Sequence, residues 1–205
     1  MTSLSPSAAA LRHAFGDAVE RSLVSCRDTI VYVRRDRVHD ALAWLKTTPE
    51  QTFDYLTDVT AVEYRDPERP LEVVWQLRSL ARRADLRVKV ALDKSAPLEV
   101  PTVCDLWKGA DWLERETYDM FGVVFTGHPD LRRIIMWETY AEGYPLRKDF
   151  PLRGHFSRAE QTRQALAANP EAHYSLDELS IAEAFHELPK DMRERLRRGE
   201  RGFLK

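Results

Sequence analysis

The sequence predicts an α+β fold: helices packed on a small, mostly antiparallel sheet, then one more helix and a long irregular, partner-binding C-terminal extension. Three observations predict it. Two stretches near the N-terminus carry apolar residues at helical spacing. Three β-branched and aromatic runs follow, joined by short polar connections that favour antiparallel neighbours. Beyond Gly122 a Gly/Pro/Arg-rich stretch has neither helical nor strand periodicity, so its backbone must be ordered by packing against something else.

Ser7 to Leu23 reads as a helix with Leu11, Phe15, Ala18, Val19 and Leu23 on one side, weakened at Gly16 by ~1 kcal/mol relative to Ala. Thr29 to Arg34 is β-branched and aromatic, a strand. Asp36 can cap a second helix whose Val38, Ala41, Leu42 and Leu45 form a core stripe ending before Pro49. Phe53 to Tyr64, Leu71 to Leu80 and Leu86 to Leu92 are strand-like, separated by the turn residues 66–70 and the polar residues 82–85. These runs predict a meander backed by the two helices, an α+β domain over residues 1–100. Residues 101–154 form a second segment. Asp111 and Glu114 have capping-box spacing, and Gly122 is placed to stop the helix after Phe121. Leu113, Thr117, Met120 and Phe121 share a face, and Arg115 and Asp119 stand at i, i+4, a surface pairing worth ~0.3 kcal/mol. Glu114 and Glu116 point to different faces. Residues 155–205 make a helical or extended tail, with capping-box spacing at Ser157/Glu160, Ser175/Glu178 and Ser180/Glu183, a stop at Asn169-Pro170 and an interruption at Pro189. From Met192 to Lys205 there are six basic and two acidic residues, a solvated terminus or an arm laid over an acidic neighbour or anionic lipid.

Composition narrows the function. Of the 205 residues 43% are apolar, enough to bury a core, and the net charge of −2 argues against a general polyanion binder. Cys26 and Cys104 match no disulfide framework and cannot supply the four thiolates of an iron–sulfur cluster. No basic n-region precedes an apolar run, Asp17 and Glu20 argue against a transit peptide, and no stretch approaches the ~20 apolar residues of a spanning helix. Walker and dinucleotide-binding loops are missing.

The candidate chemistry is thin. Glu114, Glu116 or Asp119 would serve a catalytic reading as proton donors; without a nucleophile, metal motif or cofactor loop beside them, they read instead as caps and as ion-pair partners of Arg132, Arg133, Arg147 or Lys148. His128, alone before Pro129, is a capping or interface histidine rather than a zinc ligand. His186-Glu187 begins like a zinc-protease motif, but Lys190 occupies the second histidine's place. Cys104 is a small buried thiol. The basic run Arg132, Arg133, Arg147, Lys148 and Arg153 is broken by Asp130, Glu138, Glu142 and Asp149, unlike a nucleic-acid face. Flanked by Trp137, Tyr140, Tyr144 and Phe150, it suits a protein interface, where Arg and aromatic residues act as anchors.

The stretch Leu113 to Gly154 also resembles the signature region of the 30-kilodalton, or C-type, subunit family of proton-pumping NADH:quinone oxidoreductase, respiratory complex I. The resemblance is carried by Glu114-Arg115-Glu116, Tyr118-Asp119-Met120-Phe121-Gly122, Phe125, Gly127-His128-Pro129, Leu131-Arg132-Arg133, Gly143 and Pro145-Leu146-Arg147-Lys148-Asp149-Phe150-Pro151. Leu56 to Tyr64 and Asp105-Leu106-Trp107 extend it upstream. Tyr144 departs from the histidine that many members carry, and Met136-Trp137 is atypical. The resemblance implies a non-catalytic core subunit of the peripheral arm, with no catalytic, cofactor-binding or metal residue of its own and no activity alone. FMN, iron–sulfur clusters and quinone would belong to partner subunits, chiefly the 49-kilodalton-type quinone-site subunit and neighbouring iron–sulfur subunits. Glu114, Arg115, Glu116, Tyr118, Asp119, Phe121, Gly122, His128, Pro129, Arg132, Arg133, Pro145, Arg147, Lys148, Asp149 and Pro151 would form the partner interface or its structural signature. It implies a peripheral place on the cytoplasmic side of the bacterial inner membrane. The alternatives are the equivalent subunit of a membrane-bound nickel–iron hydrogenase-type complex and a free-standing acid–base enzyme.

Overall fold

A computed structural model of the chain describes residues 4–66, 68–168, 190 and 194. Residues 1–155 make one compact unit and residues 156–205 another. In the first, helix α1 spans Pro6–Phe15, and helix α2 spans Val38–Thr47. Five strands, β1 (Val19–Ser25), β2 (Asp28–Val33), β3 (Tyr55–Val62), β4 (Leu71–Ser79) and β5 (Ala84–Leu92), form one sheet in the order β1-β2-β5-β4-β3. Strand β6 (Glu99–Pro101), helix α3 (Ala110–Phe121) and strand β7 (Val124–Thr126) follow, β6 and β7 forming a small parallel pair.

The first helix is shorter than its apolar spacing predicts. Ser5 caps it by accepting from the Ala8 amide, Pro6 opens it, and Gly16 ends it at φ +52, where a side chain would be strained. After one 3₁₀ turn the chain becomes β1, so Val19 and Leu23 belong to a strand, not to the helix. The cross-strand partner overrides local periodicity: β1 pairs with β2 from Val19↔Val33 to Ser25↔Asp28. The second helix has the core stripe that its sequence predicts, Val38, Ala41, Leu42 and Leu45 being fully buried. Its start is different. Arg37 stands at the N-cap without a side-chain bond, because Asp36 is engaged with Arg34.

β3, β4 and β5 form the expected antiparallel meander. The β1–β2 hairpin then docks onto β5 in parallel, Ile30 to Tyr32 against Arg87 to Lys89, so the sheet is mixed. Alternation along β4 sorts its two faces. Leu71, Val73, Trp75, Leu77 and Ser79 have no exposure, and the four apolar ones share a core with Leu11, Leu42 and Leu45 of the helices. On the other face Glu72, also buried, accepts from Tyr32 (3.1 Å), Tyr64 (2.9 Å) and Lys89 (2.7 Å). Burial pushes this carboxyl up, but the Lys89, Tyr64 and Tyr32 donors outweigh it and hold it below the usual range.

β3 is an edge strand, and α3 packs along it. The Thr117 hydroxyl reaches the Val59 carbonyl at 3.0 Å, and its other contact is the Leu113 carbonyl of its own helix. An otherwise unpaired strand edge is thereby covered by a helix. The core cluster runs without a break from Ala8 in α1 to Phe125 in β7.

In the second unit, helix α4 spans Arg158–Ala168 with no buried residue. Ser157 accepts from the Glu160 amide at 3.3 Å, the half of the capping box that its spacing predicts. Ser175/Glu178, Ser180/Glu183, His186-Glu187, Pro189 and most of the cationic terminus lie outside the described residues.

Candidate partner-binding segment

α3 begins at Gly109 rather than at a capping box; Asp111 lies inside its first turn, and Glu114 looks away from its own helix end. Glu114 is fully buried and accepts from the Thr102 hydroxyl (2.6 Å), the Val103 amide (2.8 Å) and the Cys104 thiol (3.5 Å). It ties α3 to the loop before it. Burial raises its carboxyl, and its three close donors, none of them a cation, only partly offset that. Glu116 is exposed, as the opposite-face reading predicts.

The i, i+4 pairing of Arg115 with Asp119 is replaced by two longer-range contacts. Arg115 is buried and donates to the carbonyls of Arg132 (3.2 Å) and Arg133 (3.2 Å). Asp119, with no exposure, accepts from three successive amides, Ile134, Ile135 and Met136, at 2.8–3.0 Å, while Arg133 grips its other oxygen at 2.6 Å. Burial pushes Asp119 up, yet the amides and the guanidinium together hold it below the usual carboxylate value. Helical periodicity shows which residues share a helix face. It says nothing of a coil that returns to cover that face.

That return is how residues 131–154 are ordered. Arg133 spans the fold-back: it bonds the Asp119 side chain and backbone carbonyl and the Gly143 carbonyl, and it lies 5.2 Å and 5.3 Å from the Tyr140 and Tyr144 ring centroids. Leu146 donates its amide to the Met120 carbonyl, and Arg147 reaches the Phe121 carbonyl and sits 3.2 Å from Glu63 at the end of β3. The Lys148 amide donates to the same Glu63 carboxylate at 2.7 Å. Gly122 closes the helix at φ +77, and a Cβ there would fall 2.4 Å from the Tyr144 ring. Tyr144 also meets Tyr118 edge-on. The atypical tyrosine therefore caps the end of α3.

The predicted residues separate into two groups. Glu114, Arg115, Asp119, Phe121 and Gly122 are internal fasteners, joined by the mostly buried Arg133 and Arg147. Glu116, Pro129, Arg132, Lys148 and Asp149 are exposed; Tyr118, Pro145 and Pro151 are half-buried. Sequence reasoning does not single out Glu63. It lies in the resembling β3 stretch, but nothing in its spacing points to Arg147.

Folding also gathers Cys104, Glu114 and His128, whose donor atoms lie within 4.8 Å of one another. The set does not suit a metal. His128 Nδ1 accepts from the Asp130 amide (3.0 Å), so the ring proton sits on Nε2 and points to the Asp111 carbonyl (3.2 Å). Burial, with Glu114 beside it, pushes the Cys104 thiol up to about 11, so the sulfur carries its proton. The cluster is a hydrogen-bonded lock between the loop before α3 and the loop after β7.

A family model described as the 30-kilodalton subunit of respiratory-chain NADH dehydrogenase matches residues 31–156. An NADH-quinone oxidoreductase C-type subunit from a Roseiflexus species is 45% identical over 142 residues, 69% of this chain and 80% of that one. Its counterpart from Bartonella bacilliformis is 41% identical over 147 residues, 72% and 70% of the two chains. Among solved structures, a trypsin-resistant fragment of Nqo5 aligns with TM-score 0.52 at 32% identity, covering 60% of this chain and 97% of the fragment. A chain of an archaeal membrane-bound sulfane sulfur reductase shares the fold, with TM-score 0.59 at 24% identity over 76% of this chain and 87% of its own. With its signature residues fastened around one helix end and a family match across both sheet and coil, the chain belongs to the 30-kilodalton subunit family of respiratory-chain NADH dehydrogenase.

Proposed function

We propose that the chain is a non-catalytic core subunit of the peripheral arm of an NADH:quinone oxidoreductase, needed for assembly and stability of the quinone-site module. One observation carries this reading: residues 131–154 have almost no regular structure, yet are held in place by Asp119, Glu63 and the last carbonyls of α3. A segment fixed this way presents a preformed surface, and preorganisation lowers the ordering cost of association. The sixteen signature residues serve that surface, some by fastening it from within and others by facing outward.

The partner is the 49-kilodalton-type subunit, with neighbouring iron–sulfur subunits. NADH oxidation at FMN, the iron–sulfur clusters and the reduction of quinone coupled to proton translocation belong to those partners, and the isolated chain has no activity. Membrane association comes through the complex, on the cytoplasmic side of the bacterial inner membrane; no described helix is long and apolar enough to cross a bilayer. The named relatives favour this assignment over a hydrogenase-type complex.

The test is copurification. A tagged chain should bring down a flavin-containing NADH-oxidising module and the quinone-site subunit, whereas the chain purified alone should show no visible absorption and no stoichiometric iron. A nickel-binding large subunit among the copurified chains would move the assignment to the hydrogenase class.

A further inference from the structure

The basic pairs of the coil are divided between two tasks. Arg133 and Arg147 are 13% and 19% exposed and already paired with Asp119 and Glu63. Their charge is spent inside the chain. Among the described residues, the large apolar side chains left in water include Ile135 (57%), Leu146 (49%) and Leu152 (103%), all within this one segment. Isolated exposed aliphatics are ordinary on a soluble surface; three on a short coil that the chain fastens in place are not. Two of them are held side by side. The Ile135 amide is bonded to Asp119 and the Leu146 amide to the carbonyl of Met120, so both are pinned to consecutive residues of the last turn of α3. Arg132, Lys148 and Arg153 are the exposed cations of the same segment, with Glu138 and Asp149 as exposed anions.

We infer that Ile135, Leu146 and Leu152 form the apolar centre of the subunit contact, with Arg132, Lys148 and Arg153 at its rim. The occupant is a protein surface of aliphatic pockets edged by carboxylates. An interface of this kind has a dry apolar core and a charged, wetter rim. The excess of exposed cations fixes the sign of the partner's rim, and opposed potentials set orientation and encounter rate more than affinity. The inference rests on the assembly role proposed above and specifies which side chains perform it.

The experiment uses the assembled complex. Ile135→Asp and Leu152→Asp each place a carboxylate where the partner would desolvate it, at a position already open to water in the free chain. Leu80→Asp, at a side chain 58% exposed at the far end of β4, is the control. Chain recovered in the complex on native gels should fall at least ten-fold for the two coil variants and stay unchanged for the control, with the thermal midpoint of each isolated chain unaltered. Arg132→Glu with Lys148→Glu should give a smaller loss that deepens as salt is lowered. Normal incorporation of Ile135→Asp and Leu152→Asp, while the wild-type chain assembles, overturns the inference and leaves the assembly role standing. Failure of the wild-type chain to copurify with respiratory subunits overturns the assembly role itself. If the isolated chain is a dimer that either coil variant splits, the face is covered by a second copy and the inference is wrong. Binding to phosphatidylglycerol vesicles that the same variants abolish equally overturns it, in favour of a lipid surface.

Discussion

At the scale of single residues, the two buried carboxylates of α3 titrate in opposite directions, and their donors explain it. Glu114 meets a hydroxyl, an amide and a thiol, whereas Asp119 meets three amides and a guanidinium. Because Asp119 is depressed in the fold, its stabilisation is present above the unfolded carboxylate value and is lost as pH falls through the folded one. Asp119→Asn should therefore destabilise the chain at neutral pH by about 3 kcal/mol, as expected for a broken buried pair. Denaturant curves of both proteins should converge below pH 4; a gap that persists at pH 3 would assign the loss to packing. The thiols offer a second check. Cys26 is exposed, while Cys104 is buried with its proton held up to about 11. Ellman's reagent at pH 8 should titrate one thiol in the native chain and two in denaturant, and two fast native thiols would contradict the Glu114 lock. Little of this is legible in the sequence. Asp119 is recognisable as a signature residue, but its partners lie well downstream in a coil whose path no periodicity encodes.

At the scale of elements, the readable ones are those whose own pattern agrees with their neighbours. α2 and the β3–β4–β5 meander follow from a helical stripe and short polar connections. Apolar spacing merges α1 with β1 because Leu11, Phe15 and Leu23 fit one helical face; Gly16 is the signal against it, marking a helix end rather than a weak spot within one. Gly122 reads as an end from spacing alone, and the structure adds a second reason for it. Gly122→Ala must hold a left-handed φ and also displace the Tyr144 ring, a combined cost of about 2–3 kcal/mol. Tyr144→Ala should return the part of that cost due to the clash, so the double mutant should be more stable than the sum of the single changes predicts. Strict additivity in thermal unfolding would mean that ring and helix end do not touch.

At the scale of the whole molecule, the fold class is legible in composition and pattern, but the joining of the two halves of the sheet is not, because parallel pairing leaves no turn between its strands to recognise. The role of the chain is legible mainly through its signature stretch, which fixes what the coil rests on. Arg147→Ala should lower the amount of assembled complex several-fold by loosening the coil from Glu63, while each assembled copy keeps near-normal quinone reduction; native-gel yield with activity normalised to it separates the two. Arg147→Lys should rescue only in part, since an ammonium cannot serve Glu63 and the Phe121 carbonyl with a planar fork. The parallel β2–β5 contact has a consequence in time as well. Residues 30–32 leave the ribosome early and have no permanent place until residues 87–89 arrive, so the first hairpin waits, half-made, beside a growing chain. Closing that distant pair is the slow event expected for such a topology. Mutations that weaken it, such as Val31→Ala or Val88→Ala, should retard refolding more than equal losses of stability placed in the β3–β4 hairpin, which can form as soon as it is made.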